Sequence, residues 1–146
     1  MQCETCTLCC KLLPIESTGS QAGSWCKNCL PGVGCTIYPV RPNECKIFSC
    51  AYHQMEKVSK DLRPDKCKII FEKVTDRIFF GTQHPDYEIT ETAKRQIDQF
   101  QKQGFSVIIK SSSIEKPMAF INKNHRPQEI FDEYLKAKDG NAKLHN

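Results

Sequence analysis

Residues 3–10 read CETCTLCC, and the four sulfurs of this octet decide how the rest of the chain is read. Cys3, Cys6 and Cys9 follow one another at C-x2-C spacing. Such a turn lets two thiolates converge on one ion while the intervening amides point at the sulfurs. Cys9 and Cys10 are adjacent, and adjacent side chains diverge in an extended chain. They are therefore expected to serve separate metals or separate corners of one cluster.

The pattern continues outward. Cys26-Lys27-Asn28-Cys29 is a second C-x2-C element, and Cys35 follows Gly34, where glycine permits the turns that aim N–H groups at sulfur. Cys45 and Cys50 lie five apart, about 140° around a helix, so they too point to different partners. Of the ten cysteines in 146 residues, only Cys67 falls beyond the first fifty. The nine others are the candidate metal ligands: Cys3, Cys6, Cys9, Cys10, Cys26, Cys29, Cys35, Cys45 and Cys50. They imply at least two metal positions or one multinuclear centre.

The chain is expected to form a single domain, with a cysteine-cluster head over 1–58, an α+β body over 60–138 and a flexible tail over 139–146. Pro14, Gly19, Gly23, Pro31, Gly32, Gly34, Pro39 and Pro42 interrupt the head. A segment so broken buries too little apolar surface to offset its chain entropy and needs a staple. Disulfides are one staple. However, Met1-Gln2-Cys3-Glu4 lacks the basic and then apolar stretch of an export signal, and intracellular thiols are kept reduced. A structural metal in a cytoplasmic protein is the stronger expectation. Zn²⁺ is favoured; iron or an iron–sulfur cluster is the alternative, since the opening C-x2-C-x2-C also begins a ferredoxin run. The chain leaves that run at once, with an adjacent cysteine and no following Cys-Pro.

The formal charge of +4 treats every cysteine as neutral, and eight thiolates on two divalent ions would cancel it. The basic residues are interleaved with acids, so a nucleic-acid partner is not expected. No apolar run approaches the ~18–20 residues of a spanning helix, so no membrane partner is expected either. An unknown protein partner stays open.

The body reads as alternating strands and helices. Residues 68–74 and 77–80 predict two strands joined at Thr75-Asp76. Ile89, Ala93, Ile97 and Phe100 form a helical apolar stripe ending at Gly104. Phe105, Val107 and Ile109 predict a third strand, and residues 118–121 a fourth. A last helix starts near Pro127, buries Ile130, Phe131, Tyr134 and Leu135, and stops by Gly140. The expected architecture is α+β: an irregular cysteine-rich metal-binding head packed on a small antiparallel sheet with flanking helices. In the head, Pro42 begins a helix expected to run through Cys45 and Cys50 toward Lys57.

The runs CETCTLCCKLLPI, GSWCKNCLPGVGCTIYPVRPNECKIFSC and LRPDKCKIIF resemble the bacterial cysteine-cluster proteins of the YkgJ family, described as zinc- or iron-chelating (the CxxCxxCC domain). The resemblance covers residues 3 to about 71 and is looser beyond. It implies that Cys3, Cys6, Cys9, Cys10, Cys26, Cys35 and Cys45 fall on the family's cysteines, and that Cys29 and Cys50 match a subset. Cys67 stands where relatives often carry serine and is left out of the site. Tyr38, Arg41 and Pro42 match the family's IYxxRP stretch. There Arg41 either donates to thiolates or binds an anion, or else pairs with a carboxylate while Tyr38 packs the knot. Trp25 is expected to plug the knot. His53, at Cys50-x2-His53, is a candidate nitrogen ligand, set aside because nine cysteines fill two tetrahedral sites without it.

No P-loop, G-x-G-x-x-G or H-E-x-x-H is present, and no catalytic residue is assigned. The expected function is a metal-binding protein whose metal is chiefly structural. One alternative is an iron–sulfur redox protein or enzyme, since flagellin lysine methylases carry a resembling cluster. Another is metal buffering or delivery.

Overall fold

Proline and glycine keep the regular elements of the head short. The computed structural model describes residues 5–144, with the backbone alone over 141–144, so Cys3 lies outside the described residues. The head contains α1 (Cys9–Leu12), the two-residue strands β1 (Cys29–Leu30) and β2 (Gly34–Cys35), α2 (Asn43–Ile47) and α3 (Ala51–Gln54). Strands β1 and β2 pair antiparallel with Cys29 opposite Cys35. Their turn is Leu30-Pro31-Gly32-Val33: Val33 N–H donates to the Leu30 carbonyl at 2.9 Å, and Gly32 sits at φ +73°. Proline second and glycine third is the type II pattern.

The single helix expected from Pro42 toward Lys57 is two helices. Phe48 (φ −70°, ψ 130°) and Cys50 (φ −76°, ψ 165°) are extended and separate α2 from α3. The break has a packing cause. Phe48 and Cys50 turn into a core with Leu8, Leu12 and Ile70, while Cys45 packs against Ile15, Cys26 and Cys29.

The body adds α4 (Pro64–Cys67), β3 (Ile69–Lys73), β4 (Ile78–Gln83), α5 (Glu91–Lys102), β5 (Ser106–Lys110), β6 (Met118–Phe120) and α6 (Pro127–Leu144). The strands lie side by side in chain order, β3-β4-β5-β6. The sheet is mixed, where an antiparallel one was expected: β3–β4 and β5–β6 are antiparallel, but β4 and β5 run parallel, Ile78 beside Ser106. The reason is α5. A helix between two strands carries the chain back to the end where the first began, so the second runs parallel to it.

Two layers cover the sheet. On one face Ala93, Ile97 and Phe100 of α5 bury Ile69, Phe71, Phe79, Val107 and Ile109. The Thr90 hydroxyl starts that helix, accepting the Ala93 N–H at 3.1 Å. On the other face Ile130 and Tyr134 of α6 cover Ile78 and Ile108. Central β5 is thus apolar on both sides. Glycine is required at position 81, where a Cβ would come within 2.8 Å of Ile69 Cγ2 and 3.2 Å of Ile109 Cγ1.

Two expectations about the last helix are corrected. It runs through Gly140 to Leu144, so residues 139–144 are helical where a tail was expected. One glycine costs a helix about 1 kcal/mol, which a long helix absorbs. Leu135 is 54% exposed, because Ile130 and Tyr134, with Phe131 packed beside them, take the inward stripe.

Head and body share packing. Leu8, Leu12 and Cys50 meet Ile70 of β3, and Ala51 and Leu62 enter the main core. Among the described residues no helix is long and apolar enough to cross a membrane.

Candidate metal centre

The eight described head cysteines fall into two groups, and adjacency in sequence does not decide membership. The first group surrounds Ile15: Cys26 and Cys29 are buried there, with Cys10 and Cys45 packed against them. Cys35 lies opposite Cys29 across the β1–β2 hairpin and is close enough to act electrostatically on Cys45, as Cys10 and Cys26 do. The second group comprises Cys6, Cys9 and Cys50. They line a cavity of about 40 Å³ together with Phe48, Tyr52, His53, Pro64 and Ile70. Adjacent Cys9 and Cys10 open helix α1 and part company there, each toward its own group. They remain hydrogen-bonded to each other, and Cys10 also to Cys29.

Local turns build both groups. Cys29 N–H donates to the Cys26 carbonyl at 3.0 Å, closing the C-x2-C turn, and the Asn28 amide donates to the Cys26 sulfur. Cys10 N–H likewise donates to the Thr7 carbonyl at 3.0 Å. Cys26 N–H reaches the Cys10 carbonyl at 2.8 Å, tying the two C-x2-C segments together. At the second group the amides of His53 and Tyr52 donate to the Cys50 sulfur from the first turn of α3.

These surroundings move the thiols apart in acidity. The hydrogen bond with Cys9, then burial, holds Cys10 far above the ordinary thiol range. Burial and the neighbouring Cys10 push Cys29 up to about 12. Burial raises Cys45 and Cys50 as well. Cys26 goes down: burial opposes its thiolate, but hydrogen bonds from Ser20, the Asn28 amide and Thr18 outweigh it. Thiols pressed on one another resist ionising, and a cation among them reverses that balance.

The donor types suit zinc or iron. Their placement is less complete: among the described residues, no three His, Cys, Asp or Glu side chains are arranged to hold an ion. Cys10 meets the thiols of Cys9 and Cys29, while hydroxyls of Thr7, Thr18 and Ser20 reach the sulfurs of Cys29 and Cys26.

The remaining candidates sit as follows. Arg41 stacks its guanidinium 4.0 Å over the Tyr38 ring and donates from Nη1 to the Tyr38 carbonyl at 2.8 Å. Trp25 is 41% exposed, with Lys11 Nζ 5.3 Å from the ring centroid, so it is a surface residue where a buried plug was expected. Cys67 is fully buried in the sheet's core, its thiol donating to the Ile69 and Leu62 carbonyls at 3.2 and 3.5 Å. Thr7 was missed by sequence reasoning. Its hydroxyl accepts Gly32 N–H at 3.0 Å and donates to the Cys29 sulfur, bridging the opening run to the hairpin. Nothing in a threonine between two cysteines announces that role.

Fold and site together define an α+β protein with a mixed four-stranded sheet and a thiol-rich head. No protein-family model, no curated protein and no solved structure matches the chain.

Proposed function

We propose that this is a thiolate metal protein of the cysteine-cluster kind its sequence resembles, with two metal positions in the head and a chiefly structural metal. The observation that carries the reading is the sorting of the thiols. Cys10, Cys26, Cys29, Cys35 and Cys45 gather around Ile15, and Cys6, Cys9 and Cys50 around a separate cavity. Two groups of thiols in a head that turns so few of its apolar residues inward are what two cross-linking ions require. Rotation about χ1 swings a cysteine sulfur between staggered positions, so neighbouring thiols close on an ion with little backbone movement. A bound cation would neutralise the thiolates that burial otherwise disfavours.

Zinc is the first choice, because its tetrahedral thiolate sites are closed and structural. Iron or an iron–sulfur cluster is the alternative, and a cytoplasmic setting belongs to the same proposal. Anaerobic purification with an absorption spectrum and elemental analysis tests it. A colourless protein holding zinc is expected; Cys10→Ser and Cys26→Ser should lower the metal-to-protein ratio, and Cys67→Ser should not. A brown protein with stoichiometric iron and sulfide would move the reading to the redox class. Reduced protein that binds neither metal would end it.

A further inference from the structure

The thiols of Cys10 and Cys29 are in hydrogen-bond contact, although one belongs to α1 and the other begins the β1–β2 hairpin. We propose that this pair is an oxidation site: a small-molecule disulfide joins the two sulfurs in one intramolecular bond that staples the opening run to the hairpin. The proposal goes beyond the metal reading and stands without it, since it needs only the contact between the two thiols.

The contact is held from several sides. Cys26 N–H donates to the Cys10 carbonyl at 2.8 Å and Cys29 N–H to the Cys26 carbonyl at 3.0 Å, so the backbone itself brings Cys29 beside α1. Thr7 fastens the same two segments, accepting Gly32 N–H at 3.0 Å and donating to the Cys29 sulfur. Both cysteines pack in one cluster around Ile15. Other pairings are less well placed. Cys9 also touches Cys10, but neighbouring Cα atoms are only about 3.8 Å apart across a trans peptide, short of the ~4.4–6.8 Å that a disulfide spans. The Cys26 sulfur is engaged by Ser20, Thr18 and the Asn28 amide. Cys35 lies opposite Cys29 in the hairpin register, while the Cys29 thiol is in contact with Cys10 and Thr7.

Cys10 is half-buried and Cys29 buried, so Cys10 meets the oxidant first. Its thiolate attacks one sulfur of the small disulfide, which forms a mixed disulfide and releases one small thiol. Cys29 then attacks the Cys10 sulfur; the protein disulfide forms, the mixed one breaks and the second small thiol leaves. The two cysteine protons end on the two released thiols, and the two electrons lost by the protein reduce the small disulfide. Both cysteines resist ionising, so exchange is slow and the pairing is read at equilibrium.

Among the described residues, Cys26, Cys35 and Cys45 are then the thiols left in the first group, one short of a tetrahedral thiolate set. Bond and ion are therefore alternative staples for one part of the head, and oxidation displaces an ion held there. Where thiols are kept reduced, such a bond is transient and reports oxidation.

The experiment equilibrates the full metal-free chain in glutathione and glutathione disulfide at stepped ratios, alkylates the remaining thiols and maps linkages by mass spectrometry across all ten cysteines. Cys10–Cys29 is expected as the first intramolecular bond, at least about tenfold more abundant than any other single bond, and urea should erase that excess, because the folded contact selects the pair. Cys9→Ser and Cys35→Ser should keep the bond. The decisive reading is on the unaltered chain, so it does not depend on how a variant folds. A first bond elsewhere, whether Cys29–Cys35, Cys26–Cys29 or any bond to Cys3, would overturn the inference, as would mixed disulfides alone. In a second arm Zn²⁺ is added first and should suppress the bond. A chain that forms the bond regardless of Zn²⁺ leaves this inference standing and ends the metal reading of the first group.

Discussion

The sheet and the head enclose interiors made of different material. Between them the sheet and α5 bury Phe71, Phe100, Val107 and Ile109, with Phe79 and Phe100 stacked at 4.0 Å. The head buries Leu8, Leu12 and Ile15 among cysteines, yet leaves Trp25, Leu30, Val33, Val40 and Ile47 on its surface. Carbon packing closes the sheet without assistance. The head has apolar residues to spare but does not turn them inward, because its prolines and glycines set the path of the chain before packing can. Sulfur therefore makes up much of what the head encloses, with Cys26, Cys29 and Cys50 buried beside Leu8, Leu12 and Ile15.

The largest expected effect separates these two interiors. Under reducing conditions a strong chelator should erase amide protection across residues 6–50 while strands β3 to β5 stay protected, as hydrogen exchange read by mass spectrometry would show. Equal loss in both regions would mean that sheet and head fold as one unit; no loss in either would remove the metal from the account of stability.

Phe100→Ala attacks the other side of the comparison. It removes a fully buried ring between Phe71 and Phe79. Large-to-small changes of this kind cost about 3–5 kcal/mol, measurable by urea unfolding of the sheet. The metal-to-protein ratio of the folded fraction should not change. A variant that loses metal in proportion to stability would show that the head's order is borrowed from the sheet.

The smallest effect is electrostatic. Burial raises the pKa of the Glu72 carboxyl, which faces α6 near Tyr134. The folded chain therefore holds that proton more tightly than the unfolded one. Its contribution favours folding below the ordinary carboxylate range and is lost as pH rises through the raised value. Glu72→Gln should accordingly melt higher than the parent at neutral pH, with the gap closing toward about pH 4, where an ordinary Glu protonates. A variant that melts lower at neutral pH would show that the ionised carboxylate has a stabilising partner.

Much of the body was legible in the sequence. Branched and aromatic runs flanking Thr75-Asp76 announce a hairpin, and Ala93, Ile97 and Phe100 announce the buried side of α5. The parallel pairing of β4 and β5 was missed, although a helix of twelve residues between two strands is the ordinary signature of a parallel return. In the head, Pro31-Gly32 carried a readable type II turn, and with it the hairpin that sets Cys35 opposite Cys29. The break at Phe48 and Cys50 had no local signal, since neither residue disfavours helix strongly; tertiary packing against Leu8, Leu12 and Ile70 imposes it. Trp25 went unread for the opposite reason: its size suggested a plug, but the space inside is filled by sulfur and by Ile15. Cysteine spacing led to the expectation of more than one group of sulfurs, and the fold shows which of them pack together.

Ile70 also sets an order of events on the ribosome. It forms one wall of the cavity whose sulfurs, Cys6, Cys9 and Cys50, are all translated before it. At ~5–20 residues per second, the stretch from Cys50 to Ile70 takes about 1–4 s to polymerise. Until that strand is made and paired, Cys6, Cys9 and Cys50 lack one wall of the cavity they line in the folded chain, so the N-terminal segment cannot finish its packing before the first strand of the sheet follows it.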